Sequence, residues 1–332
     1  MRLVLTGAGG YLGRMLLDSW CDDERVSSII AIDRRPLALL PTTVKHEKIT
    51  FICGDLTSID FETACGRERL DAVVHTAYDI RTPYWPGAQR RHEQTNRLAA
   101  ERVFRFAFKR NVSKLIHCST IAAYGARPDN DPARPLTETA PLQEQTFAYG
   151  SHKRLIEDKL RQLVSSQPGK TETVILRIAS VTGPLAQRLS SKRGLITLLK
   201  GLLPFVPITN DLALRQYLHE DDLVSAINFC LWRQLGTPLT IYNVAPDCHL
   251  TFVQIARRLR KRVVRIPYQL ARLAFALAWY LSLGKIPTAP GSINSYTYPI
   301  RVDGSALVRD GFHYQYACED AFLASRGKYA HA

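Results

Sequence analysis

Apolar and polar positions along the first 180 residues predict strands separated by helices. Short apolar runs rich in Val and Ile are typical of strands that are buried on both faces of a sheet. Such runs are RLVLT (2–6), IIAID (29–33), KITFIC (48–53), DAVVHT (71–76), KLIHCS (114–119) and ETVILRI (172–178). Residues 11–20, 89–110 and 150–163 instead repeat their apolar positions at helical spacing. The alternation predicts an α/β fold with a doubly wound parallel sheet of the Rossmann type.

The regular alternation weakens after residue 180. RQYLHEDDLVSAINFCL (215–231) predicts a strand followed by a helix, and TIYNVA (240–245) predicts one more strand. We therefore predict two parts that are interleaved along the chain, a Rossmann domain and a smaller substrate-binding region. The first comprises residues 1–180 with 212–246 returning to it, and the second comprises residues 181–211 and 247–332.

A glycine-rich loop, TGAGGYLG (6–13), follows the first predicted strand and opens the first predicted helix. Glycines permit a tight turn and a close approach of the backbone to a pyrophosphate at the positive helix N-terminus. The second predicted strand ends in Asp33, whose carboxylate can accept hydrogen bonds from an adenosine ribose. The order of these features predicts a dinucleotide site. NAD is predicted, because the Asp33 carboxylate repels a 2′-phosphate. NADP stays an alternative, because Arg34 and Arg35 can bind such a phosphate.

The stretch FAYGSHK (147–153) places Tyr149 and Lys153 four residues apart, on one face of a predicted helix. A lysine ammonium beside a phenol favours the phenolate and lowers the phenol pKa from about 10, so that the phenol can exchange protons in catalysis. A solvent-facing pair at a helix start is the alternative. The pair is therefore a candidate acid–base device.

Together these motifs resemble the extended short-chain dehydrogenase/reductase family, in particular its NAD-dependent epimerase/dehydratase group. TGAGGYLG (6–13) resembles the family's T-G-x-x-G-x-x-G loop, and Tyr149 and Lys153 fall on its Y-x-x-x-K pair. CSTIAAYG (118–125) is similar to S-S-x-x-V-Y-G, which implies that Thr120 is the catalytic hydroxyl. Further segments that resemble family motifs are Gly54-Asp55-Leu56, His75-Thr76-Ala77, Asn96, LRIASVTGP (176–184) and LHEDDL (217–222).

The resemblance implies an NAD(P)-dependent oxidoreductase that acts at a secondary alcohol or ketone through Thr120, Tyr149 and Lys153. Two alternatives stay open, a nucleotide-sugar epimerase or dehydratase with tightly bound NAD, and a non-catalytic NAD(P)-binding sensor or scaffold. Ser180 replaces an asparagine that often contacts a nucleotide sugar, and it is the candidate substrate residue. The implied cofactor-binding residues are Gly7, Gly10, Tyr11, Leu12, Gly13, Asp33, Arg34, Asp55, Leu56, Thr76, Ala77, Tyr149 and Lys153.

Composition narrows the partners and the compartment. The net charge is +14, with a basic cluster at RRLRKRVVR (257–265), but no nucleic-acid-binding module accompanies it, so no nucleic-acid partner is predicted. Seven scattered cysteines without a C-x-x-C pair predict reduced thiols, a cytoplasmic location and no metal site. No apolar run reaches the 18 residues of a membrane span. Association with a membrane surface and a homodimer stay possible.

The segment IPYQLARLAFALAWYLSLGKIP (266–287) predicts a helix that is apolar nearly all round, since Arg272 is its only charge between Leu270 and Leu283. Such a helix belongs to the core, lies on a membrane surface or lines the substrate cavity. The third alternative, together with the replaced sugar-binding residues, predicts a lipophilic substrate such as a steroid or terpenoid alcohol.

Overall fold

The protein is represented by a computed structural model, which describes residues 1–40, 43, 46–167, 169, 171–189 and 198–330. Residues 190–197, which belong to the predicted substrate-binding region, lie outside the described residues. Among the helices of these ranges, none is both long and apolar enough to cross a membrane.

Most predicted strands and helices are present within a residue or two of their expected bounds. In chain order the strands are β1 (Arg2–Thr6), β2 (Ser28–Asp33), β3 (Ile49–Cys53), β4 (Ala72–His75), β5 (Lys114–Thr120), β6 (Glu172–Ile178), β7 (Ser180–Thr182), β8 (Phe205–Ile208), β9 (Leu214–Arg215), β10 (Tyr217–His219), β11 (Leu239–Val244), β12 (Leu250–Thr251) and β13 (Arg262–Arg265). The helices of the described ranges are α1 (Tyr11–Cys21), α2 (Phe61–Cys65), α3 (Pro86–Lys109), α4 (Ala148–Ser166), α5 (Pro184–Leu189), α6 (Glu220–Trp232), α7 (Phe252–Arg258), α8 (Tyr268–Leu281), α9 (Ser292–Thr297), α10 (Ser305–Arg309) and α11 (Cys318–Leu323).

Seven of these strands form one parallel sheet in the order β11-β6-β5-β4-β1-β2-β3. The predicted doubly wound Rossmann fold is confirmed. The strand order reverses between β1 and β4, because the chain returns from β3 at one edge of the sheet to place β4 on the other side of β1. In open α/β sheets of this kind, ligands bind at such a switch point, beyond the carboxyl ends of the strands.

The sheet is covered on both faces, as its near-continuous apolar strands require. Alternate residues of β1 enter different cores because side chains on a strand point to opposite faces. Leu3 and Leu5 pack with α1 and α6, whereas Val4 packs with α3 and α4. The two layers of helices hold the carboxyl ends of β1, β2, β4 and β5 at a common edge.

Smaller strand pairs lie beyond the central sheet. They join β7 with β10, β9 with β12, and β8 with β13. Cys248 and Cys318 form a disulfide in this part of the chain, so the expectation that all thiols are reduced is wrong for these two residues. They are separated by 70 residues in the sequence, and only the fold brings their Cα atoms to 5.8 Å. Spacing alone carries no signal for such a pair.

Candidate active site

The glycine loop between β1 and α1 leaves room for a ligand because side chains are missing where the backbone turns. Gly7 has a φ of +81°, and a Cβ there would lie 2.6 Å from the backbone nitrogen of Ala77. A Cβ on Gly13 would clash with the carbonyl of Gly7. Since α1 begins at Tyr11, the N–H groups of its first turn have no partner within the helix. This geometry fits an anionic group such as a pyrophosphate.

Asp33 lies at the carboxyl end of β2, beside the same loop. Its carboxylate accepts hydrogen bonds from the backbone N–H groups of Gly9, at 3.0 Å, and Arg35, at 2.9 Å. These contacts hold a buried acceptor beside the glycines, where an adenosine ribose would lie. The Arg34 guanidinium turns to Asp79, with a nitrogen–oxygen distance of 2.6 Å.

A cavity of about 660 Å³ opens at the switch point of the sheet. The predicted cofactor residues that line it are Gly7, Gly10, Tyr11, Asp33, Arg34, Asp55, Leu56, Thr76 and Ala77. Leu12 and Gly13 belong to the first turns of α1 behind the loop. Asn96 of α3 and Asp79 also line the cavity. The Asn96 side chain accepts a hydrogen bond from the N–H of Asp79 and donates one to the carbonyl of Asp79. The structure thus brings residues from four strand ends to one cavity.

Thr120, Tyr149 and Lys153 meet at the carboxyl end of β5. Thr120 is the last residue of that strand, and its hydroxyl accepts a hydrogen bond from the N–H of Ala122 at 3.2 Å. Tyr149 and Lys153 lie in the first turns of α4. The Lys153 ammonium donates to the carbonyl of Cys118 at 2.6 Å. The three side chains therefore share one site.

Burial controls the protonation of this group. It lowers the pKa of the Lys153 ammonium to about 8, because a charged amine loses its hydration there. Burial also raises the pKa of the Tyr149 phenol, and a hydrogen bond with Thr120 opposes this rise. Sequence analysis expects Lys153 to lower the Tyr149 pKa. In the structure burial has the largest influence and raises this pKa, and the Lys153 ammonium is bonded to the Cys118 carbonyl.

Tyr78 is a site residue that sequence analysis missed. Its ring lies edge-on to that of Tyr149, with centroids 5.3 Å apart, and the Lys153 ammonium lies 4.7 Å from its centroid. Tyr78 also lines the cavity. Its place directly after the His75-Thr76-Ala77 segment was the available signal. Tyr78 joins the catalytic candidates to the wall of the cofactor cavity.

A buried ion pair between β6 and α4 lies next to the site, and sequence analysis did not predict it. The Arg177 guanidinium donates to both carboxylate oxygens of Glu157, and both side chains are fully buried. Glu157 also accepts a hydrogen bond from the Ser119 hydroxyl at 3.0 Å. Because Ser119 precedes Thr120 and Glu157 follows Lys153 by one helical turn, the pair fixes β5 against α4.

Ser180 and Arg215 lie in short strands outside the central sheet. Ser180 begins β7, two residues beyond the β6 residue paired with Thr120, and its N–H donates to the Gln216 carbonyl at 3.3 Å. The neighbouring Arg215 lies over the rings of Phe252 and Tyr296, at 5.6 and 5.3 Å from their centroids. In the described part of the chain, no carboxylate forms an ion pair with Arg215. Burial lowers the pKa of this guanidinium.

Helix α9 connects Arg215 to the catalytic side. Arg215 donates to the carbonyl of Ser295 on this helix, and Asn294 bonds the Thr146 hydroxyl just before Tyr149. Gly291, at the start of the helix, lies so close to the Thr146 carbonyl that a Cβ would clash. Helix α9 therefore contacts both Arg215 and the segment that precedes Tyr149.

Comparison with known proteins agrees with this geometry. The NAD dependent epimerase/dehydratase family matches residues 3–245. The chain belongs to this family. The resemblance seen in the sequence is thereby confirmed, and the protein is an NAD-dependent enzyme rather than a non-catalytic sensor. The residues around the cavity fit NAD, because the glycine loop admits a pyrophosphate and Asp33 offers a ribose acceptor.

Curated relatives of this family member share moderate identity with it. A dTDP-glucose 4,6-dehydratase of Mycolicibacterium smegmatis is 26% identical over 276 residues, 80% of this chain and 79% of that protein. The hybrid PKS-NRPS synthetase poxE of Penicillium oxalicum is 34% identical over 85 residues, which are 24% of this chain but only 2% of that protein.

Solved structures with the same fold cover nearly the whole chain. MoeE5 in complex with UDP-glucuronic acid and NAD has a TM-score of 0.70 at 18% identity, and the match covers 98% of this chain and 97% of MoeE5. UDP-glucose 4-epimerase of Thermotoga maritima, solved with UDP-glucose, has the same TM-score, identity and coverage. At this identity the likeness shows the fold.

We expect the protein to bind NAD at least about tenfold more tightly than NADP, because the Asp33 carboxylate repels a 2′-phosphate. Arg34 offers little compensation, since its guanidinium is engaged by Asp79. Calorimetric titration with both oxidised cofactors measures the ratio. Asp33→Asn keeps the shape of the side chain but removes its charge, so the ratio of NAD affinity to NADP affinity should decrease. Tighter NADP binding by the unmodified protein would contradict the assignment.

Proposed function

We propose that the protein is an NAD-dependent epimerase of a nucleotide sugar, with a cofactor that is regenerated in each cycle. The observation that carries this proposal is Arg215. Its guanidinium is partly buried and has no carboxylate partner among the described residues, and helix α9 connects it to the segment just before Tyr149. A partly buried cation without a carboxylate partner favours an anionic ligand, and a diphosphate matches its planar donors. The sugar would then extend from Arg215 towards Ser180 and Thr120.

The catalytic residues fit an oxidation at one sugar carbon followed by its reversal. NAD, held by the glycine loop and Asp33, would supply a hydride acceptor for the oxidation and a hydride donor for the reduction, and the centre inverts when the reduction takes place on the opposite face of the keto carbon. Tyr149, as phenolate, takes the proton of the reacting hydroxyl and gives it back to the keto oxygen in the reverse step. Thr120 donates a hydrogen bond to the same oxygen. The Lys153 ammonium, which is bonded to the Cys118 carbonyl and lies beside the Tyr78 ring, would hold the nicotinamide ribose. These are the roles that the family resemblance implies, and they are supported by the meeting of the three side chains at the carboxyl end of β5.

Epimerisation is favoured over dehydration by the residues that follow Thr120. Loss of water from a sugar needs an acid that protonates the departing hydroxyl. The turn after β5 (Ile121–Tyr124) carries no carboxyl group, and the Tyr124 hydroxyl is already bonded to Arg177 and Asn243. The dTDP-glucose 4,6-dehydratase relative is similar to this chain, but the turn after β5 in this chain offers no acid for a dehydration.

The lipophilic substrate of the sequence-based prediction is less well supported. That prediction depends on helix α8 lining the substrate cavity. None of the α8 residues lines the cavity at the switch point, and only Ala271 and Trp279 of that helix are buried. One curated relative is a dTDP-glucose 4,6-dehydratase, and two structures of the same fold were solved with UDP-glucuronic acid or UDP-glucose. A homodimer stays possible, and the cytoplasmic location stays a prediction.

The proposal predicts that UDP or dTDP binds and that Arg215→Met weakens this binding about 10- to 100-fold, as expected for a lost charge-assisted contact. Arg272→Met, which removes an exposed arginine of α8, is the matched control and should change nothing. Isothermal titration calorimetry measures both. Denaturation of the purified protein should also release bound NAD, which chromatography of the supernatant detects.

Two results would contradict the nucleotide-sugar assignment. One is equal affinity of UDP and dTDP for the unmodified protein and for Arg215→Met. The other is micromolar binding of steroid or terpenoid alcohols by a protein that binds neither nucleotide.

A further inference from the structure

Helix α8 (Tyr268–Leu281) turns an apolar face towards solvent. Its exposed side chains recur at spacings of three and four residues, so they form one stripe along the helix. They are Leu270 (58% exposed), Leu273 (55%), Leu277 (49%), Tyr280 (56%) and Leu281 (81%). The opposite side packs on the protein through Phe275, which contacts the ring of Tyr296, and through buried Trp279. The alternative from sequence analysis that this helix belongs to the core is therefore wrong for the side of α8 that carries these exposed residues.

The loop after β4 extends the same surface. The Tyr84 ring contacts those of Trp279 and Tyr280, with centroids 6.1 and 6.2 Å apart, and it also contacts Trp85 at 5.1 Å. Trp85 is 69% exposed, and Ile80 of the same loop is 66% exposed. Two segments that are far apart in the sequence thus present apolar and aromatic side chains side by side. We call α8 with residues 80–85 the apolar platform.

The chain around the apolar platform carries positive charge without negative charge. Residues 248–302 contain nine Lys and Arg and no Asp or Glu. Residues 80–92 contain Arg81, Arg90 and Arg91 and again no Asp or Glu. Arg81, Arg272 and Lys285 are exposed and form no ion pair within the described ranges of the chain. Farther along, the basic cluster is partly neutralised, since Arg258 pairs with Glu319 and Arg265 with Asp211.

We propose that the apolar platform binds the surface of an anionic lipid membrane, with α8 lying in the interfacial plane. An apolar helix face with cations beside it matches acyl chains below and acidic headgroups around them. Trp85 and Tyr280 are the amphipathic ring types that anchor proteins at this depth. The charge argues against a second copy of the chain as the occupant. A symmetric contact would place the arginine and lysine side chains of both copies against each other without a carboxylate between them.

Co-sedimentation with sonicated vesicles tests the proposal. The protein is mixed with vesicles of phosphatidylglycerol and phosphatidylcholine, and in parallel with phosphatidylcholine alone. We expect binding to the mixed vesicles that weakens as salt is added, and little binding to the neutral ones. Leu273→Gln/Leu277→Gln should reduce the binding at least about tenfold. Arg272→Gln/Lys285→Gln should reduce it about fivefold for each charge removed.

Val308→Gln is the matched control, because Val308 is also an exposed apolar residue (41%) but lies on α10, outside the apolar platform. It should bind vesicles like the unmodified protein. Unchanged NAD binding and thermal unfolding show that each variant is folded. Absence of binding to the mixed vesicles would overturn the proposal, as would undiminished binding by the double leucine variant. A different result would assign the apolar platform to a second copy of the chain. In that case the protein does not bind vesicles but forms a concentration-dependent dimer, and the double leucine variant is monomeric.

Discussion

Tyr149→Phe should lower kcat by about 10³-fold or more, because it removes the proton that the phenol exchanges with the substrate hydroxyl. The ring contacts are kept, so the edge-on packing against Tyr78 should persist. NAD affinity should therefore stay within about twofold, since the change removes no charge from the cofactor cavity. Steady-state kinetics on the nucleotide sugar and calorimetry with NAD measure the two quantities.

Tyr78→Phe is the matched control for this variant. It removes a phenol hydroxyl from the same pair of rings, where it bonds His152 at 3.2 Å rather than the reacting oxygen. It should keep most of the turnover. Thr120→Ala should fall between the two, with a loss of about 10²-fold for one hydrogen-bond donor. Turnover of Tyr149→Phe at the unmodified rate would contradict the assignment of this residue as the acid–base group.

Arg177→Met should lower the free energy of unfolding by about 3–5 kcal/mol, because it leaves the Glu157 carboxylate buried and unpaired. Both side chains of this pair have no exposed surface. The loss also removes the hydrogen bonds of Arg177 to the Tyr124 hydroxyl and the Glu138 carbonyl. Urea unfolding followed by tryptophan fluorescence measures the change.

Arg105→Met is the control for Arg177→Met. Arg105 also pairs with a glutamate, Glu101 at 2.8 Å, but on the exposed surface of α3. Such a pair contributes only about 0.3–0.5 kcal/mol. Replacing both buried partners, as in Arg177→Met/Glu157→Leu, should recover part of the loss, because no buried charge is left unpaired. A loss below 1 kcal/mol for Arg177→Met would show that Glu157 is solvated or paired in another way.

The amino-acid sequence alone was sufficient to predict the central sheet, and the structure confirms it strand by strand. Buried parallel strands carry their signal locally, as apolar runs bounded by turns, so β1 and β6 have the bounds that their sequences predict. The glycine loop and Asp33 were recognisable for the same reason, since they lie within one strand–helix–strand unit. Family motifs in the expected order then pointed to Thr120, Tyr149 and Lys153.

Only the tertiary structure decided which distant residues complete the site. The Arg177–Glu157 pair, the Arg215 contact with a helix 80 residues later, and the Cys248–Cys318 disulfide join positions that no periodicity relates. The orientation of α8 is the clearest case. Its sequence is apolar nearly all round, so the pattern predicts a helix but cannot say which face is buried. Packing of Phe275 and Trp279 on the protein settles this, and it leaves the leucines on the outside.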